Sequence, residues 1–136
     1  MSGQPLTIFQ VAGRAMSAQL TRMNTSASNL ANAGGVTGSA DTAYRTIKPV
    51  FRTSYDAATG LATVDVQRIV TAGEEPTKRY DPSNPLADKD GNVFENAVDE
   101  TRELVDMLET ARTYQNNVEV MQTAKQLTID TLKLGR

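Results

Sequence analysis

The sequence predicts a mainly α fold with a small β-rich insert, in which long N- and C-terminal helices pair as a coiled-coil-like hairpin that bundles with other subunits. Three observations predict it. Apolar residues toward both ends recur at alternating three- and four-residue spacing, the mark of a helix with one apolar stripe. Most of the Gly and Pro residues fall between those stretches, where they interrupt regular structure. The helices are also too long for the domain. At 1.5 Å per residue they reach about 40 Å and about 60 Å, against about 30 Å for a compact domain of this chain length.

The first helix is expected to open at Pro5, whose missing amide hydrogen suits a first helical position. Its stripe runs Leu6, Phe9, Gly13, Met16, Leu20, Met23, Ala27, Leu30, and Ala33-Gly34-Gly35 stops it. Between Pro5 and Ala33 the only charges are Arg14 and Arg22; the other polar residues are Ser, Thr, Asn and Gln. A solvated helix face normally carries many Lys and Glu side chains. Small neutral groups instead let neighbours approach from several sides without stranding a buried charge.

The middle, residues 36–94, reads as β-rich and irregular. Tyr44 to Arg52 and Leu61 to Thr71 are predicted strands, with Val64, Val66 and Val70 on one face of the second and Asp56 to Gly60 as the hairpin turn. Pro49 places the first of them at a sheet edge. The last helix is expected from Asn96, as N-cap, with Asp99 and Glu100 in its first turn. Its stripe is Leu104, Met107, Leu108, Ala111, Tyr114, Val118, Met121, Ala124, continuing through Leu127, Ile129, Leu132 and Leu134. Acidic residues crowd its start and Arg112, Lys125, Lys133 and Arg136 its end, complementing the helix dipole. Residues 1–35 and 95–136 are thus two halves of one discontinuous helical domain around the middle.

Composition narrows the chemistry. The 136 residues contain no Cys and no His, which removes disulfides, thiolate nucleophiles, and the commonest acid–base and transition-metal side chain. A net charge of −2 and the absence of Trp give no footprint for nucleic acid. No basic n-region or apolar h-region opens the chain, and no run of about 20 apolar residues spans a bilayer. The segment from Asp81 to Asn92 evokes a calcium loop, but Gly91 falls two places early for the EF-hand pattern; a turn built from Asp-Gly and Pro is the expectation. No catalytic, cofactor or metal residue is assigned.

Asn24 to Ala33, above all Ala27-Ser28-Asn29-Leu30-Ala31-Asn32-Ala33, resembles the N-terminal signature of the bacterial flagellar axial family of rod and hook proteins. The likeness continues through Tyr44-Arg45, Val50-Phe51, the loop Asp81-Pro82-Ser83-Asn84-Pro85-Leu86-Ala87-Asp88, Val118-Glu119-Val120-Met121 and Leu132-Lys133-Leu134, which point to the proximal rod. The resemblance implies a structural, non-enzymatic subunit of a hollow helical drive shaft that transmits torque and lines an export channel. It implies other rod proteins and copies of itself as partners, together with the MS ring or rod-base adaptor and the export apparatus. It further implies a place in the periplasm, reached without a cleaved signal peptide, and no nucleic acid, small-molecule substrate or membrane insertion. The expected subunit interface is Leu6, Phe9, Met16, Leu20, Met23, Ala27, Asn29, Leu30 and Asn32 on the first helix. On the last it is Leu104, Leu108, Ala111, Tyr114, Val118, Met121, Leu127 and Leu132, with Asn29 and Asn32 bonding between helices or capping the helix end. Two other classes remain: a helical adaptor or secretion chaperone acting as a discrete dimer, and a metal-dependent enzyme using Asp88 and Asp90.

Overall fold

In the computed structural model, which describes residues 6–135, the chain runs α1 (Ile8–Ala31), β1 (Val36–Thr37), β2 (Ile47–Asp56), β3 (Leu61–Thr71), β4 (Thr77–Tyr80), β5 (Asn92–Glu95) and α2 (Glu100–Leu134). The strands form two antiparallel sheets, a two-stranded β2–β3 ribbon and a small sheet ordered β1-β5-β4. Pro5 and Arg136, which figured in the expected helix start and the basic C-terminal end, lie outside the described residues.

This architecture corrects the expected fold class: the protein is a mixed α and β structure and not a mainly helical hairpin with a small insert. The reason lies in β2 and β3, which are 10 and 11 residues long and too extensive to serve as decoration. They lie along α1, which packs on the ribbon as well as on α2. Near the C-terminal end of α1, Asn29 meets the start of β2 at Ile47; near its other end, Arg14 reaches Asp65 of β3 at 3.2 Å. The N-terminal helix is therefore flanked by sheet and helix together.

Local sequence explains each boundary. Thr7 caps α1 through a reciprocal box with Gln10: the Gln10 amide donates to the Thr7 hydroxyl at 3.3 Å and the Thr7 amide to Gln10 Oε1 at 3.0 Å, satisfying two otherwise orphaned donors. The helix stops at Ala31, with Asn32 as C-cap and Gly34 at φ 69° completing the exit. At the ribbon's tip the Gly60 amide donates to the Asp56 carbonyl at 2.9 Å, while Asp56 accepts from the Ala58 amide and the Thr59 hydroxyl. The first ribbon strand is displaced relative to expectation, because Tyr44 to Thr46 are spent elsewhere: Tyr44 bonds Asn29 and Asn96, and the Thr46 hydroxyl donates to the Ala97 carbonyl. Pro49 pairs with Ile69 in a two-stranded ribbon, where both strands are edges.

The start of α2 is also corrected. Asp99, not Asn96, is the N-cap, accepting from the Arg102 amide at 3.1 Å. Asn96 instead ties three segments together. Its backbone amide donates to the Gly35 carbonyl, its Nδ2 donates to the Asn32 carbonyl at 2.7 Å, and its Oδ1 accepts from the Tyr44 amide at 2.8 Å. From this knot α2 runs 35 residues against 24 for α1, a difference of about 16 Å, and carries its C-terminal third past its partner.

Candidate assembly surface

The buried residues of α1 are Ala12, Ala18, Thr25, Ser26 and Asn29, and those of α2 are Glu103 and Thr110. These are small or polar groups. They allow close approach of backbones but bury little apolar area, so the hydrophobic effect, at about 25 cal/mol per Å², contributes modestly to the packing within one chain. The large apolar side chains lie largely outside it: Ile8, Phe9, Leu20, Leu104, Val105, Leu108, Val120, Leu127, Leu132 and Leu134 are all exposed, Leu108 at 73% and Leu134 at 86%. Contiguous exposed apolar patches are characteristic of contact surfaces.

The expected interface residues divide between exposed, half-buried and buried positions. Phe9, Leu20, Ala27, Leu104, Leu108, Leu127 and Leu132 are exposed, while Leu6, Met16, Met23, Leu30, Asn32, Ala111, Tyr114, Val118 and Met121 are half-buried. Asn32 caps α1, its Nδ2 donating to the Ser28 carbonyl at 2.8 Å. Asn29 lies elsewhere than expected. It is 1% exposed and bonds a strand of its own chain, because a carboxamide presents a donor and an acceptor side by side and matches one backbone residue of β2. Residues that sequence reading passed over include Ile8, Val105 and Val120 on the helices and Tyr55 and Ile69 on the ribbon, all exposed. The doublet Leu104-Val105, set among acids, was the available clue, since two adjacent apolar residues cannot share one narrow stripe.

Charge follows the same division. Arg14 pairs with Asp65, and Arg22 reaches Asp106 of α2 at 4.0 Å. Both cations of α1 are thereby turned toward the chain's own elements, and among the described residues the rest of that helix is uncharged.

The loop from Asp81 to Asn92 uses its carboxylates to turn the backbone. Asp88 Oδ1 accepts from the Asp90 amide at 2.9 Å and the Asn92 amide at 2.8 Å, and the Asn92 amide foremost holds its carboxyl below the usual range. Asp81 is lowered chiefly by the Ser83 hydroxyl, with Asn84 and Arg79 adding to it. Among the described residues no three of His, Cys, Asp or Glu gather to hold a metal ion. Gly91 sits at φ 77°, and a Cβ there would lie 3.0 Å from Pro82 Cβ and 3.0 Å from Tyr80 Cε2. Gly91→Ala is therefore expected to destabilise the chain by about 1–3 kcal/mol, read as a lower midpoint in urea unfolding with an unchanged slope.

Among the described residues, no helix is long and apolar enough to cross a membrane. Exposed apolar residues on two long helices whose buried residues are small or polar suit a subunit of a larger assembly, and comparison with known proteins gives that assembly its identity. The family model described as flagella basal body rod protein matches residues 9–38, and that described as flagellar basal body rod FlgEFG protein C-terminal matches residues 91–134. The chain is a structural rod protein of the bacterial flagellum and not an enzyme. The flagellar basal-body rod protein FlgC of Salmonella typhimurium is 43% identical over 133 residues, covering 96% of this chain and 98% of its own length. The FlgC of Yersinia enterocolitica is 42% identical over 131 residues, with 96% and 98% coverage, and that of Buchnera aphidicola subsp. Schizaphis graminum 37% over 132, with 96% and 97%. The chain belongs to the FlgC family of flagellar basal-body rod proteins.

Proposed function

We propose that this rod subunit builds the wall of a hollow proximal shaft, with the helical parts in residues 1–35 and 95–136 packed against those of neighbours and residues 36–94 thickening the wall. The observation that carries the reading is the outward placement of Phe9, Leu20, Leu104, Leu108, Leu127 and Leu132 on helices whose own buried residues are small or polar. Half-buried Leu6, Met16, Met23, Leu30, Asn32, Ala111, Tyr114, Val118 and Met121 flank that surface and become fully covered in the wall. Contacts between unlike faces do not close on themselves and propagate as helices, which suits a tube that carries torque and surrounds an export channel. Other rod proteins and further copies of this chain are the lateral partners, with the MS ring or a rod-base adaptor below. The subunit reaches the periplasm through the flagellar export apparatus, without a cleaved signal peptide.

The test has two parts. In a strain lacking its own copy, the tagged chain is expected in purified basal bodies, below the hook. In sedimentation the purified chain is expected to show open-ended, concentration-dependent association with rod proteins. A single discrete dimer, with no chain in the basal body, would overturn the reading.

A further inference from the structure

The sheet β1-β5-β4 forms a lobe of its own. Its middle strand, β5, buries Val93 completely, yet none of the three strands packs on a helix or on the β2–β3 ribbon. A cleft of about 550 Å³ separates them, lined by Thr77 and Glu95 of the lobe and by Lys48 of β2 and Arg102 and Glu103 of α2. The chain crosses into the lobe through glycines: Gly34, at φ 69°, and Gly35 precede β1, and Gly73, at φ 122°, precedes β4. Glycine takes either sign of φ at little steric cost, so these crossings do not set the angle of the lobe. The exit from β5 is different. Glu95 runs directly into Asn96, whose Nδ2 donates to the Asn32 carbonyl at 2.7 Å and whose Oδ1 accepts from the Tyr44 amide at 2.8 Å. Both partners belong to the helical body, because Asn32 is the C-cap of α1 and the Tyr44 hydroxyl donates to Asn29.

We infer that the Asn96 carboxamide is a latch: it fixes the small-sheet lobe at one angle to the helices, and without it the lobe swings about its glycine crossings. A donor and an acceptor on one planar group, each bonded to a different segment of the body, define a direction as well as a distance. Hinges of this kind need only a few loop residues to absorb the change in backbone angles. The ion pair of Arg45 with Glu75, at 4.0 Å and with the Glu75 side chain 89% exposed, adds little to the hold. The latch is a property of the single chain and stands apart from the proposed place in a shaft. Within such a shaft it makes the lobe turn with the helices.

The chain contains no Cys, so spin labels on introduced cysteines report the angle cleanly. Lys78→Cys on β4 and Gln115→Cys on α2 are both exposed positions. In the purified full chain the distance between these labels is expected to be narrowly distributed, and Asn96→Ala is expected to broaden that distribution about twofold or more. Hydrogen exchange should show the amides of β4 and β5 still protected, so that the lobe moves as a folded unit. Gly35→Ala tests the same latch with Asn96 in place, since a Cβ there would lie 2.5 Å from Asn96 Nδ2 and push the carboxamide off its partners. A broad distribution in the parent, or a narrow one in both variants, would overturn the latch. So would loss of protection in β4 and β5 in both, which would make Asn96 part of the lobe's own fold.

Discussion

Asn29→Ala is expected to lower the stability of the chain by about 3 kcal/mol, or about 10 °C in melting temperature for a domain of this size. The size follows from what the side chain holds. Asn29 Nδ2 donates to the Ile47 carbonyl at 3.0 Å, and its Oδ1 accepts from the Ile47 amide at 2.9 Å and the Tyr44 hydroxyl at 2.9 Å. Alanine leaves three polar groups of the chain without this partner in a site that is 1% exposed. Each such loss costs about 1–3 kcal/mol, and water admitted to the gap recovers part of it. Asn29→Asp is expected to be nearly as damaging, since an ionised carboxylate cannot donate to the Ile47 carbonyl. Thermal and urea unfolding of the purified variants measure both. A loss below about 1 kcal/mol would mean that the first turn of the β2–β3 ribbon is not anchored to α1 through this residue.

The same residue shows what the sequence disclosed and what it withheld. The three-four spacing in both terminal segments identified α1 and α2, and Asp56 to Gly60 marked the ribbon's turn, because those signals depend on residues near one another in the chain. Asn29 stood out as part of a family signature, yet its partner is a backbone 18 residues on, which no local pattern reveals. Asn96 and Asp99 are both good N-cap residues, and the choice between them was made by Tyr44 and Asn32 claiming the Asn96 side chain. The fold class was misjudged for a related reason. Periodicity says that a stripe is to be covered but not what covers it, and the ribbon along α1 competes for a helix that seemed reserved for α2. The strands β4 and β5 escaped notice because four residues each, between Pro- and Gly-rich loops, carry too little alternation to register.

Exposed apolar residues that serve assembly should respond to mutation in the opposite way to Asn29. Leu108→Asp and Leu20→Asp are expected to leave the isolated chain within about 1 kcal/mol of the parent, because both side chains already meet water, Leu108 at 73% and Leu20 at 44% exposure, and only helix propensity and minor contacts are lost. In the wall the substitution would bury a carboxylate against apolar neighbours, at a cost of about 3 kcal/mol or more per contact. That corresponds to about a hundredfold or greater loss in each association constant. Because every subunit repeats the contact, the expected phenotype is a non-motile cell with normal amounts of a folded, unassembled chain. Met121→Asp should differ from these two: Met121 is half-buried in the isolated subunit, so both stability and assembly should fall. Soluble, fully folded Leu108→Asp protein coexisting with normal rods in electron micrographs would place the subunit contacts on another face of α2. The contrast between Asn29 and Leu108 would thus separate, within one chain, the polar groups that shape the subunit from the apolar groups proposed to be covered by its neighbours.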